Sequence, residues 1–127
     1  MIHFDHIEIH VTNSLEYSNF LLKLFNTGRF KKISENNTYM FLLSDNLRFE
    51  IKESKLYKDI YNINNGIGFC LPCLRMKNAI IHLKNFDNIT ISKIIKNPDG
   101  DCIFFKDFQG IDWHIKDYEI LDIFTNI

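Results

Sequence analysis

Imidazole and carboxylate groups recur on the polar side of several alternating segments: His6, Glu8 and His10 in "FDHIEIHV", Glu50 between Arg48 and Lys52 in "LRFEIKE", and His114 in "FQGIDWHIKD". Such groups exchange protons or bind metal ions when a fold gathers them, and simply meet water when it does not. His114 poses the question most directly. At strand period its companions are Asp112 and Lys116, so its face either is wet or lines a site. Cys70 and Cys73 form a C-x-x-C pair in "CLPC", which would serve redox chemistry or supply half a zinc site, but no second pair completes that site. With Cys102 the cysteines are odd in number and lie in or beside apolar runs. Reduced, buried thiols fit that placement better than a disulfide framework.

The elements that must position these groups are legible from periodicity. Ile7, Ile9 and Val11 alternate with His6, Glu8 and His10; Leu47, Phe49 and Ile51 alternate with Arg48, Glu50 and Lys52. Ile67, Phe69 and Leu71 alternate with Gly66, Gly68 and Cys70, and Ile111, Trp113 and Ile115 with Asp112, His114 and Lys116. One apolar and one polar or small-residue face per strand predicts antiparallel sheet covered on one side. Asn13 or Ser14 can cap a helix whose buried stripe is Tyr17, Phe20, Leu21 and Leu24, ending near Asn26 to Gly28. Met76, Ala79, Ile80 and Leu83 repeat the stripe. Further strands are expected at "RFKKI", "TYMFLL", "ITISKII" and "CIFF", with turns at "ENN" and "NPDGD".

The order is strand, helix and three strands, and then the same again. Residue 7 corresponds to 67, 17 to 76 and 49 to 113, a shift that drifts only as loop lengths would make it. The expected organisation is a single domain with module one at 1–53, a polar Asn-rich linker at 54–65, module two at 66–117 and a tail at 118–127. Each module leaves one polar sheet face over. Two modules side by side can curl those faces into a cup, and a cup lined by His and Glu is a site.

The chain has 127 residues, 46% of them hydrophobic and 24% charged, with a formal net charge of −1. That composition is ordinary for a globular protein and lacks the basic excess of nucleic-acid binding, so no nucleic-acid partner is expected. "MIHFDHIEIHV" alternates from the start and no apolar stretch approaches bilayer length, so a cytoplasmic protein without membrane attachment is expected.

The paired modules resemble the vicinal oxygen chelate superfamily, which includes glyoxalase I, bleomycin-resistance proteins, fosfomycin-resistance enzymes and extradiol dioxygenases. The likeness covers nearly the whole chain. "FDHIEIHVTN" with "LEYSNFLLKLF" is similar to the family's opening strand and helix, "LRFEIKE" to its "x-x-EL" strand, and "IFFKDFQGIDWHI" to its "F-x-DPDGN-x-x-EL" segment. The resemblance implies an α+β fold: two βαβββ modules forming a curved antiparallel sheet cup with helices on the outside. It also implies a homodimer, with the cup closed within one chain or between modules of two chains.

Metal-binding members take ligands from the first and last strands of each module. Carried over by position, this chain offers His6 and Glu50, has Gly66 where a histidine is usual, and has His114 where the last carboxylate stands. Two histidines and a carboxylate with open positions suit Fe, Zn, Ni or Mn, although the order differs from that of extradiol dioxygenases. The function this implies is a metal-dependent lyase, isomerase or dioxygenase acting on a small substrate with vicinal oxygens, in which the metal stabilises developing negative charge. Glu8 and His10 share the face of His6 and are the candidate catalytic bases.

Each position also has a plain structural reading. His6, Glu8 and His10 can be a wet strand face, Glu50 part of a cross-strand charge pattern with Arg48 and Lys52, and His114 the mark of a site that has stopped binding metal. Gly66 and Gly68 would leave room in the cup, with Phe104, Met40 and Tyr39 as ligand-pocket walls. Those features point to the alternative, a metal-free small-molecule binding protein of the bleomycin-resistance kind. His3 and His82 fall outside the matched positions and read as surface residues.

Overall fold

In the computed structural model, which describes residues 5–54, 67–70, 78–98 and 100–116, the chain divides into two units, 1–62 and 63–127. Module one begins with β1 (Ile7–Val11), whose alternation buries Ile9 and Val11. Asn13 adopts an extended conformation (φ −142°) and its side chain accepts a hydrogen bond from the Glu16 amide, so α1 runs Ser14–Phe25. Asn26 closes the helix in the left-handed conformation (φ 54°), where asparagine is better tolerated than most residues. Three strands follow, β2 (Arg29–Ser34), β3 (Thr38–Ser44) and β4 (Leu47–Glu53).

The buried stripe of α1, Tyr17, Phe20, Leu21, Leu24 and Phe25, covers the apolar sheet face made by Ile9, Phe41, Phe49 and Ile51. Phe25 packs 5.7 Å from Phe49 and 5.8 Å from Phe41, ring centre to ring centre. At roughly 1.5–3 kcal/mol for each large apolar side chain removed from water, this face is what holds helix to sheet. A polar lock joins the two ends of the module. Glu53 at the close of β4 accepts from both the amide and the hydroxyl of Ser14, each at 3.1 Å. Gly28 is required where the chain turns from helix into β2, since its φ is +103° and a Cβ there would lie 2.8 Å from the Phe41 ring.

Module two repeats the plan with β5 (Ile67–Cys70), α2 (Ala79–Leu83), β6 (Thr90–Asn97), β7 (Gly100–Lys106) and β8 (Asp112–Lys116). Asn78 caps α2 as Asn13 caps α1, accepting from the Ile81 amide at 3.1 Å. Ala79, Leu83, Phe86, Ile103, Phe105, Trp113 and Ile115 are its buried apolar residues. Met76, Leu71, Gly66, His3, Cys73 and the tail lie outside the described residues, as does the side chain of Cys70; Cys102 is buried. His82 is half-buried, with its ring edge-on to Phe86 at 5.3 Å, rather than a plain surface residue.

The sheets have strand orders β1-β4-β3-β2 and β5-β8-β7-β6. In each, the first and last strands of the module pair in parallel and the rest antiparallel, so the sheets are mixed where alternation alone suggested purely antiparallel pairing. Alternation reports which face is covered and carries no information on neighbour direction. The parallel register sets the site: it puts Glu8 beside Glu50 and His10 beside Lys52, while β3 places Met40 beside Glu50.

Candidate metal centre

The polar face of β1 and β4 gathers His6, Glu8 and Glu50. One donor atom from each lies within 4.8 Å of the others, the His ring nitrogen and two carboxylate oxygens of a possible ion site. His6 Nε2 is 3.3 Å from Glu50 Oε2, and His6 Nδ1 is 2.7 Å from Asp5 Oδ2. Lys52 reaches both acids, its Nζ 2.8 Å from Glu8 Oε1 and 3.3 Å from Glu50 Oε1. The other Glu8 oxygen meets His10 Nε2 at 2.9 Å. Glu50 is the most enclosed of these side chains at 16% exposure, against 41% for Glu8 and 31% for His6.

The electrostatics follow from this arrangement. The hydrogen bond that His6 Nδ1 donates to the Asp5 carboxylate, with the Glu50 charge behind it, raises the His6 pKa above 6.5. Hydrogen bonds from Lys52 and His10 lower Glu8 to about 2. The same carboxylates, Glu8 first, raise the Lys52 ammonium above 10.5. Glu8 therefore stays a carboxylate at neutral pH, which suits a metal donor or an orienting acceptor better than a base. A carboxylate on one ring nitrogen is what fixes the tautomer and plane of a working histidine, and Glu8 stands in that relation to His10.

A cavity of about 190 Å³ opens beside His6, lined by Asp5, Ile7, Asn46, Leu47 and Arg48. It is smaller than a drug-sized pocket of roughly 300–1,000 Å³, so only a small molecule fits it.

The corresponding row of module two has different chemistry. Gly68, His114 and Phe104 are successive neighbours across β5, β8 and β7, as Glu8, Glu50 and Met40 are across β1, β4 and β3. The His114 ring stacks on Phe104 with centroids 5.1 Å apart and planes 29° inclined. Its other side lies over Gly68, where an added Cβ would collide with Nε2 and Cε1 of the ring. The room that Gly68 leaves is thus taken by an imidazole. Burial, with Lys116 nearby, lowers the His114 pKa below 6.5 and keeps it neutral. A buried carboxylate, Asp107, anchors the turn before β8: it accepts from Trp113 Nε1 at 2.9 Å and from the Gln109 and Ile111 amides at 2.8 and 3.0 Å.

Of the residues picked out by sequence, the structure brings His6, Glu8 and Glu50 together, with His10 held by Glu8 and Met40 beside Glu50. It places His114, Gly68 and Phe104 together in module two. Gly66 lies outside the described residues. Sequence reasoning missed Asp5 and Asp107, and it grouped Lys52 with Glu50 in a charge pattern without its second partner, Glu8. That second pairing carries no local signal, because it depends on β1 and β4 being parallel neighbours.

No family model matches the chain, and no curated protein does. Solved structures do. A fosfomycin resistance protein, FosX, from Listeria monocytogenes superposes with a TM-score of 0.70 at 17% identity, over 94% of this chain and 96% of that one. FosX from Mesorhizobium loti gives 0.68 at 15% identity over the same 94% and 96%. The oxidase ChaP-H1 gives 0.63 at 9% identity, over 94% and 98%. The chain therefore has the fold of these proteins, with a βαβββ module in each half. A further Listeria monocytogenes FosX structure, at TM-score 0.73, 20% identity and 94% of each chain, is a complex with Mn(II) and 1S,2S-dihydroxypropylphosphonic acid. Among the described residues, no helix is long and apolar enough to cross a membrane.

Proposed function

We propose that the chain is a metal-dependent enzyme acting on a small substrate with adjacent oxygen atoms, as a lyase, isomerase or dioxygenase. The observation that carries this reading is the convergence of the His6, Glu8 and Glu50 donors within 4.8 Å beside the cavity at His6. One imidazole and two carboxylates suit a divalent ion of the Mn, Fe, Ni or Zn group, and leave positions for substrate oxygens. Likeness to a fold that holds Mn(II) with a dihydroxy compound in FosX supports the same ion as the first to test.

When bound, such an ion supplies Lewis-acid stabilisation of negative charge on the substrate oxygens. Asp5 orients the His6 ring through Nδ1 and so directs Nε2 toward Glu50. His10, fixed by Glu8, is the group we assign to proton transfer, while Glu8 itself holds and positions. The cavity wall of Ile7 and Leu47 excludes water from the apolar part of a small substrate.

The experiment is metal content after purification without chelator and after Mn(II) loading, in the wild type and in His6→Ala, Glu50→Gln and His114→Ala. Stoichiometric metal lost in the first two variants supports the reading, and loss in the third adds His114 as a ligand. Absence of metal under every loading condition refutes it. A second reading then stands, a metal-free small-molecule binding protein, favoured by the Lys52 ammonium already paired with both acids. It requires a saturable ligand, and a thermal-shift screen that returned none would count against it. The homodimer implied by the family resemblance is read by light scattering on the same samples.

A further inference from the structure

Glu8 and Glu50 are direct neighbours in the parallel β1–β4 register, a placement that like charges oppose. Lys52 is the group that reconciles them, with Nζ on Oε1 of each acid. Those acids are the ones whose oxygens, with His6, make up the donor group. The ammonium is thus attached where a divalent cation needs the same charge.

From this geometry we infer that Lys52 is the built-in counter-ion of the centre and exchanges with the metal, so that it sets how tightly a divalent cation is held. The inference rests on the metal reading above. Cation entry detaches the ammonium from both carboxylates. Lys52 is able to leave because its side chain is 40% exposed and hangs on a flexible four-carbon stem, so solvent is at hand to receive the charge. Glu8 keeps its orientation through the exchange, since His10 holds the oxygen that Lys52 does not. Without a cation, Lys52 stops the two acids from repelling one another. The centre then survives metal loss at the expense of affinity.

Calorimetric titration of Mn(II) into the wild type, Lys52→Met, Lys52→Arg and Lys84→Met tests the exchange. Removing two ion pairs that compete with the metal, one exposed and one half-buried, predicts binding about ten-fold tighter in Lys52→Met. Lys52→Arg stays near the wild type because it keeps the charge, and Lys84→Met, a charge removed from the end of α2, does not tighten binding. Circular dichroism confirms that each variant is folded, and Lys52→Gln serves if Lys52→Met is not. Mn(II) binding in the wild type with no gain in the Lys52 neutral variants overturns the exchange and leaves the metal reading intact. Equal tightening in Lys84→Met also overturns it, as a general charge effect. No Mn(II) binding in any of these proteins overturns both.

Discussion

Replacing Asp107 by Asn tests how β8, the strand that carries His114, is held in place. Asp107 is 5% exposed and its carboxylate accepts three hydrogen bonds, from the Trp113 indole and from the Gln109 and Ile111 amides. Asn keeps one carbonyl oxygen for the two amides but turns an NH₂ group toward the indole N–H, so a buried donor faces a donor. The loss of that bond, with its donor left unsatisfied, costs about 2–3 kcal/mol, and two charge-assisted bonds become neutral ones. Asp107→Ala removes all three acceptor contacts and is expected to cost about 3–5 kcal/mol. For a chain of this length each kcal/mol is worth roughly 3–5 °C, so Asn should lower the unfolding midpoint by roughly 6–15 °C and Ala by more. Trp113 is the only tryptophan of the chain, so its fluorescence during chemical or thermal unfolding reports this turn directly. A change below about 0.5 kcal/mol for Asn, in the range of an ordinary surface substitution, would refute the anchoring role, and so would Asn proving worse than Ala.

Gly68→Ala should push the His114 ring off Phe104 at a cost of about 1–3 kcal/mol, seen as loss of ring-current shifts on the imidazole protons in NMR spectra. His6, raised above 6.5 by Asp5 first and then Glu50, should titrate by NMR above that value and fall back toward it in Asp5→Asn. Its protonated pairing contributes stability in full below pH 6.5 that is lost as pH rises through the raised folded value, and metal affinity should climb over the same interval as the proton is released. Glu8 shows the opposite sign. Its pairing is present above pH 4.5 and is lost as pH falls toward about 2, and Lys52→Met should bring its titration back up toward 4.5. His114, lowered by burial, should remain neutral somewhat below pH 6.5, and Phe104→Ala should move its titration toward the ordinary value by opening the ring to water.

The features readable from residue order are local. Caps at Asn13 and Asn78, the stripe from Tyr17 to Leu24, strand alternation and the repeat of residue 7 at 67 depend on residues near one another in the chain. Spacing alone therefore reveals them, and with them the paired βαβββ plan. The faces were legible for the same reason: His6, Glu8 and His10 had to share one side of β1, and Gly68 and His114 the polar sides of β5 and β8. Which faces are neighbours, and in what direction, depends on strand pairing across the fold. Parallel pairing of β1 with β4 puts Glu8 beside Glu50 and lets Lys52 reach both. That turns Glu8 from a candidate base into a carboxylate held near pKa 2. The stacking of His114 between Phe104 and Gly68 and the three bonds of Asp107 depend likewise on register and turn geometry. The physical reason is the same throughout: periodicity tells a side chain which face it occupies, while hydrogen bonding between strands tells it whom it meets.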